Sequence, residues 1–228
     1  MNLRLACLLA AIACSAGPGQ KEDPKIAGKE SSPEPTTSTT LPDTAGSKWL
    51  VLPSDSASAL NGRSTEVELR RRYGAQAVDS IRVELGEGET APGTVLYPAD
   101  SMRRLEILWK DTVTRSHPDR AIVRGRKSLW QVGSGVTLGT TLQELERLNG
   151  RSFTLAGFGW DYAGVVTDWG GGALDSALAG IKLYLDPGPS QYNSSDYSKV
   201  LGDRDYSSSL PPMQRLAPRV AQIFVDFQ

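Results

Sequence analysis

Two aspartates in the second half of the chain, Asp161 and Asp168, are the residues whose type and spacing could support catalysis. Most glycosidases place two carboxyl groups on either side of the scissile sugar bond, where one acts as a general acid and the other as a base or nucleophile. Nothing else in the surrounding sequence indicates a cleft, and aspartates are common in turns, where they bond to the backbone. The sequence therefore favours a turn or surface role for both residues and leaves glycan hydrolysis as the alternative.

A catalytic triad or a metal site would need residues that the chain lacks. His117 is the single histidine, and the sequence contains no G-x-S-x-G turn, which presents the serine nucleophile of many hydrolases. Asp203 and Asp205 in GDRDYSSS match the start of a calcium-binding loop, but the later glycine and glutamate of that pattern are missing. We therefore predict no catalytic residue, no metal site and no cofactor.

An aromatic stretch is the best candidate for a binding surface. Phe158, Trp160 and Tyr162 alternate with small or polar residues, so a strand over residues 158–162 would place the three rings on one face. Trp169 follows on the returning strand. Tyr and Trp provide large contact areas in protein interfaces, but the same rings could equally form core. If they do not, Tyr162 and Trp169 are expected to show a polar edge to solvent.

The first residues predict the compartment. A short basic start and an apolar run too short to span a bilayer form a signal peptide over residues 1–13. The run before Cys14 resembles a bacterial lipobox, in which the cysteine is lipidated, although Ala11 stands where that pattern most often has Leu. The alternative is ordinary cleavage after an A-x-A pair, with Cys14 incidental. Cys7 is the only other cysteine, so no disulfide can form beyond residue 14.

The rest of the chain divides by composition. Residues 14–47 carry the lipidated cysteine and a tether rich in Pro, Ser, Thr and charge, which we expect to be disordered because such a segment cannot bury enough apolar surface. Residues 48–228 have the mixed composition of a globular domain. The whole chain holds 25 basic and 26 acidic residues, for a net charge of −1, which argues against nucleic acid as a partner.

Two short helices with the same signals lie 76 residues apart. Thr65 and Thr141 each begin a capping box, with a glutamate three residues later and a glycine that ends the helix. The same offset aligns the alternating segments at residues 105–109 and 181–185. The sequence therefore predicts an α+β fold of two tandem repeats, at about residues 60–135 and 136–228, with short helices packed on a mainly antiparallel sheet.

Several strands and loops follow from alternation and turn signals. We expect a meander of strands over residues 81–85, 94–97 and 105–110, a polar loop over 111–120, and short strands over 121–125 and 128–132. A closing strand over residues 219–227 would make Val220, Phe224 and Phe227 available to the core.

The paired helices, the closing glycines and the strand meander resemble the tandem-repeat fold of the β-lactamase-inhibitor-protein-like group. A single repeat is similar to the small lipoproteins of the outer-membrane β-barrel assembly machinery, and the block GTTLQELERLNG…FGWDY resembles bacterial lipoproteins of unknown function. The inhibitor group usually has a disulfide in each repeat, which this chain lacks. The resemblance therefore implies the architecture, and the absence of these disulfides argues against inhibition of a secreted enzyme.

Together these features predict a lipid-anchored, non-enzymatic binding or scaffold module of the bacterial cell envelope, facing the periplasm or the exterior. Its expected partners are an envelope or secreted protein and, through the lipid anchor, a membrane. The candidate residues are Cys14 for lipidation and Phe158, Trp160, Tyr162 and Trp169 for binding. The alternative function is an envelope glycan hydrolase that uses Asp161 or Asp168.

Replacing Cys14 with Ser is expected to move the protein from the detergent-soluble membrane fraction to the soluble envelope fraction, because a serine cannot carry the thioether-linked lipid. Cell fractionation measures this, with Cys7→Ser as the control that stays in the membrane fraction. A wild-type protein already found in the soluble fraction would contradict the lipid anchor.

Overall fold

The computed structural model describes residues 49–53 and 58–228. The predicted signal peptide, Cys14 and the predicted tether lie outside these residues. Among the described residues, no helix has both the length and the apolar composition needed to cross a membrane. The helices are α1 (Glu66–Tyr73), α2 (Leu142–Asn149), α3 (Ala173–Ala177), α4 (Ser195–Ser198) and α5 (Pro211–Leu216).

Nine strands make up the sheets of the described chain. The first four are β1 (Val78–Gly86), β2 (Glu89–Leu96), β3 (Leu105–Asp111) and β4 (Ser116–Arg124). The others are β5 (Thr154–Ala156), β6 (Val166–Asp168), β7 (Ile181–Asp186), β8 (Asp205–Ser207) and β9 (Arg219–Asp226).

The strand order shows the tandem organisation. One antiparallel sheet has the order β1-β2-β3-β4-β9-β7, and a second has the order β6-β5-β8. A bridge between Val165 and Tyr184 connects β7 to the start of β6. The succession β1-β2-β3-β4 is therefore mirrored by β5-β6-β7-β9, with β4 and β9 paired at the centre. The predicted α+β fold of two helix-plus-sheet repeats is confirmed.

Helices α1 and α2 are attached to the sheet by equivalent backbone hydrogen bonds. The amide of Glu66 donates to Arg115 O at 2.9 Å, and the amide of Leu142 donates to Pro218 O at 3.0 Å. Just beyond, His117 N donates to Ser64 O at 3.1 Å and Val220 N to Thr140 O at 2.9 Å. Each helix N-terminus is thus fixed to the first residues of the last strand in its repeat, which uses backbone groups that a helix leaves unpaired.

The capping prediction holds fully for α1 and partly for α2. The Thr65 hydroxyl accepts from Glu68 N, and the Glu68 carboxylate accepts from Thr65 N. In α2 the Thr141 hydroxyl accepts from Glu144 N at 3.0 Å, but no return bond from the Glu144 carboxylate forms within the described chain. Gly150 ends α2 in the left-handed conformation, whereas Gly74 ends α1 with φ 91° and ψ 144°.

The helices pack on the inner face of the six-stranded sheet. Leu69 of α1 and both Leu142 and Leu145 of α2 are fully buried, and Leu148 is half-buried against the same core. Four strands of the sheet, β3, β4, β7 and β9, contribute alternate residues to this core, namely Leu105, Ile107, Trp109, Ala121, Val123, Ile181, Leu183, Leu185, Ile223 and Val225. Both repeats therefore share one hydrophobic core.

A buried carboxylate, Glu66, attaches α1 to the sheet. The equivalent position in α2, 76 residues later, is the apolar Leu142. Glu66 accepts hydrogen bonds from the Thr94 hydroxyl at 2.6 Å and from Arg115 Nη1 at 2.6 Å, and Arg70 Nε donates to its other oxygen at 2.9 Å. The Trp109 indole donates to Thr94 at 2.8 Å. Burial alone would raise the pKa of Glu66, but the bonds from Thr94 and the two arginines outweigh it and hold this pKa below its ordinary value of 4.5.

Four local predictions were wrong. Residues 158–162 form a series of turns rather than a strand, residues 116–120 belong to β4 rather than to a loop, and residues 128–132 form only an isolated bridge at Gln131. The start of β4 resembles a loop in the sequence because most of its residues are polar, and in the structure its backbone is irregular, with positive φ at His117. Phe224, expected in the main core, faces the opposite side of the sheet, because Ala221 is unpaired beside β7 and shifts the alternation.

Leu145→Ala and Leu69→Ala are each expected to lower the free energy of unfolding by about 2–5 kcal/mol, since each removes a fully buried side chain from the shared core. Urea unfolding measures both. Val67→Ala is the matched control on α1, because Val67 is 73% exposed and its truncation should change stability by less than about 0.5 kcal/mol. A negligible effect at Leu69 would mean that α1 does not pack as α2 does.

Glu66→Gln is expected to lower the free energy of unfolding by about 1–3 kcal/mol at pH 7, because it weakens hydrogen bonds made to a charged group. The lowered pKa means that this stabilisation is complete above the ordinary pKa of 4.5 expected in the unfolded chain, and is lost as pH falls through the lower folded-state value. The difference between wild type and variant should therefore shrink below about pH 4. Urea unfolding across this range measures it, with Glu144→Gln as control, and a pH-independent difference would contradict the ionised network.

Candidate binding groove

The outer face of the six-stranded sheet, opposite the helices, forms a concave groove of about 840 Å³. Its floor is made of β4, β9 and β7. One wall is the β1–β2 hairpin, with Leu85, Glu87 and Glu89, and the other is the turn segment at residues 158–164, which we call the aromatic loop. Because elements near opposite ends of the sheet line one groove, the sheet must curl around it.

The curl of the sheet has an identifiable cause at its first edge. Gly93 of β2 has no room for a side chain, since a Cβ there would lie 2.5 Å from Ile107 O and 2.7 Å from Val83 Cγ2. Val83, Leu108 and Ile122 then form a small buried cluster of their own on the outer face. From β4, Arg124 Nη2 reaches back to Glu84 O on β1 at 2.6 Å. The hairpin is therefore drawn over the face that it borders.

The groove floor combines aromatic rings with cations. The rings of Tyr184 and Phe224 lie 4.9 Å apart, and burial raises the pKa of the Tyr184 hydroxyl. The guanidinium groups of Arg120 and Arg124 lie over the Phe224 ring, at 5.3 Å and 5.7 Å from its centroid. Such cation–π contacts hold long side chains flat against the sheet. The floor is accordingly ordered without a ligand.

The cations of the floor are already paired with carboxylates of the protein. Arg120 forms an ion pair with Asp226, and Lys182 Nζ lies 3.7 Å from the same carboxylate. Arg124 Nε is buried without a hydrogen-bond partner, but it lies 3.7 Å from Glu106 Oε2. Each cation of the floor thus has a carboxylate of the protein within 4 Å, although Arg120 and Lys182 share Asp226.

The aromatic loop is held in place by its backbone. Phe158 N donates to Val200 O at 2.9 Å, and Leu185 N donates to Gly164 O at 2.9 Å. Gly164 has φ 69°, and a Cβ there would lie 2.0 Å from Leu185 O, so only glycine allows this approach to β7. The loop therefore presents Trp160 and Tyr162 from a fixed position on its wall of the groove.

The structure separates the four predicted binding residues into two pairs. Trp160 is 37% exposed and Tyr162 is 57% exposed, and their rings meet edge to face at 5.5 Å. Phe158 is only 2% exposed, where it stacks on Tyr197, and Trp169 is 9% exposed beside Phe153. The prediction that the rings of residues 158–162 share one face was wrong, because turns replace the strand. Binding through Trp160 and Tyr162 stays a prediction.

The two candidate catalytic aspartates do not lie together in the groove. Asp161 lines the wall formed by the aromatic loop. Asp168 lies outside the groove, at the end of β6, where its carboxylate accepts a hydrogen bond from Gly170 N at 2.7 Å. This bond closes a turn, which is the structural role that the sequence favoured for it.

The remaining polar candidates have ordinary structural surroundings. His117 is exposed, and its Nδ1 lies 3.1 Å from the Ser116 hydroxyl. Asp205 accepts a hydrogen bond from Thr167 at 3.0 Å. Within residues 49–53 and 58–228, no group of three or more His, Cys, Asp or Glu side chains could hold a metal ion.

Asp186, at the edge of the groove floor, already accepts hydrogen bonds from other groups of the protein. Its carboxylate accepts hydrogen bonds from the Tyr192 hydroxyl, at 2.8 Å, and from Gly188 N. The bond to Asp186 raises the pKa of Tyr192 to about 12, so Tyr192 stays protonated and continues to donate. Asp186 therefore contributes order to this end of the groove rather than a free charge.

Sequence reasoning missed most of the groove. In β7, the alternating pattern places Tyr184 on the face opposite the core. An aromatic residue on that face was the sequence feature that could have indicated a binding surface. Phe224 was hidden by the irregularity at Ala221, which reverses the phase of β9. The acidic hairpin, Glu87 and Glu89, carried no signal that linked it to a loop about 75 residues away.

Comparison with protein-family models, with curated proteins and with solved structures finds no match for this chain. The geometry of the groove is consequently the main evidence on function.

Proposed function

We propose that this protein is a lipid-anchored, non-enzymatic module of the bacterial cell envelope that binds another protein in the groove on the outer face of its sheet. The observation that carries the proposal is a concave, ordered sheet face with two exposed aromatic side chains, Trp160 and Tyr162, held on one wall. Exposed aromatics on rigid elements are the residues that most often dominate binding energy in protein interfaces.

The geometry favours binding over catalysis. A glycosidase needs two carboxyl groups facing each other across the substrate at about 5–10 Å, and Asp168 closes a turn outside the groove that Asp161 lines. The floor instead presents aromatic rings and arginines that lie within 4 Å of carboxylates of the protein. Such a surface recognises shape and apolar contact without a group poised to transfer a proton.

The proposed location at the cell envelope rests on the sequence before residue 48. A lipid on Cys14, followed by the composition of a flexible tether, would hold the globular part near a membrane and leave it free to reorient toward a partner. Tethering confines binding to the membrane surface and raises the effective concentration of an envelope partner. Lipid anchoring and a binding groove are therefore parts of one functional proposal.

Site-specific photocrosslinking in bacterial cells tests this function. A photoreactive phenylalanine analogue in place of Tyr162 is expected to give a discrete crosslinked adduct with another protein, because the side chain would lie within the interface. The same analogue at Val67 is the control, since that exposed position lies on α1, on the opposite side of the sheet. Equal adducts at both positions, or none at Tyr162, would contradict a docking role for the groove.

A further inference from the structure

The walls and the floor of the groove differ in how their charges are satisfied. On the walls, Glu87 and Glu89 of the hairpin and Asp161 of the aromatic loop are all acidic. Within the described part of the chain, these three carboxylates form no ion pair and accept no hydrogen bond. The cations of the floor, in contrast, each have a carboxylate of the protein nearby.

Uncompensated carboxylates on two facing walls give the groove a negative potential. A concave site with walls of one sign concentrates the field and attracts ligands of the opposite sign. On one wall, the partly exposed rings of Trp160 and Tyr162 on either side of Asp161 add a second preference for cations, because the π system of an aromatic ring attracts positive charge. The unpaired carboxylates and the aromatic rings therefore both favour a cationic ligand at the walls of the groove.

Resting on the proposed function, we infer that the groove takes a cationic segment of a partner protein, with Lys or Arg side chains at the two acidic walls and apolar side chains on the aromatic floor. Charge complementarity selects this occupant. An anionic segment would meet the unpaired carboxylates of Glu87, Glu89 and Asp161 on the walls, in a groove lined by five acidic and three basic side chains. A second copy of this chain would have to present its own acidic groove or its nearly neutral surface.

A glycan fits the groove less well. Sugars stack on flat, open aromatic faces and are held by hydrogen bonds to their hydroxyl groups. Here the Trp160 and Tyr162 rings meet at 69° rather than forming a platform, and the Trp160 indole N–H is already donated to Gly157 O at 2.9 Å. The acidic walls would also repel an acidic glycan. A protein segment uses the same rings through apolar contact, which needs no free donor.

The test uses the full chain in uncharged detergent and three fluorescent peptides that share alternating leucines and differ only in the residue between them, which is Arg, Gln or Glu. Fluorescence anisotropy at low salt measures binding. The Arg peptide is expected to bind, and the Glu peptide is not. Rising salt should weaken the binding, because exposed charge interactions are screened.

Charge reversal on one wall separates the groove from the general surface. Glu87→Lys/Glu89→Lys is expected to weaken binding of the Arg peptide on the order of tenfold, since each lost exposed ion pair contributes modestly. Glu144→Lys/Asp175→Lys makes the same change in net charge on α2 and α3 and should leave binding unchanged. The wall variant should also gain binding of the Glu peptide, which shows that it is folded. Asp161→Lys should give a smaller loss from the opposite wall.

Each outcome distinguishes the inference from the function on which it rests. If Tyr162→Ala abolishes peptide binding while the wall reversal leaves it unchanged, the groove binds protein but its charge does not select the partner, and the cationic inference is overturned. If soluble peptidoglycan fragments bind in a manner that requires Tyr162 and no peptide binds, both the cationic inference and the protein-binding function are overturned.

Discussion

The antiparallel pairing of β4 with β9 is the interaction on which the rest of this structure depends. Five residue pairs, from Arg120 with Asp226 to Arg124 with Gln222, join the last strand of one repeat to the last strand of the other. Because the pairing is continuous, the inner faces of both repeats bury a common core and their outer faces form a common surface. Neither repeat has a complete groove, since one supplies the acidic hairpin and the other the aromatic loop. The site exists only because the central strands are paired.

The two repeats use the same framework but hold it together by different means. The first anchors its helix through ionised Glu66 and the arginines around it. The second has Leu142 at that position and a longer insertion between its strands, organised around Asn149. This side chain donates to Trp169 O at 2.8 Å and accepts from Leu174 N at 3.1 Å, so it ties the end of α2 to the start of α3. A second long connection, from β7 to β9, supports the aromatic loop through Val200 and Tyr197. The asymmetry between the repeats thus supplies the feature that distinguishes one end of the groove.

The groove is ordered because its floor satisfies its own charges. Arg120 and Arg124 cover Phe224 and lie within ion-pair distance of carboxylates on the same face. Order of this kind lowers the conformational entropy that a partner would have to offset on binding. The walls keep their charges unpaired and exposed to solvent, where the cost of an unpaired carboxylate is small. Rigidity at the floor and unpaired charge at the walls are both properties expected of a recognition surface.

The sequence by itself determined the repeated elements. The capping threonines, the glycines that end the helices and the alternating strands are local patterns, and each specifies its element because the groups involved lie within a few residues of one another. The tertiary structure alone decided which faces those elements expose. The burial of Phe158 and Trp169 depends on partners such as Tyr197 and Phe153, and the turn that exposes Trp160 and Tyr162 depends on the approach of Gly164 to β7. The unpaired Ala221 reversed the face of Phe224, and the curl at Gly93 brought a distant hairpin to the groove. All of these are contacts between segments far apart in the chain, and a periodic pattern carries no information about which segments will meet.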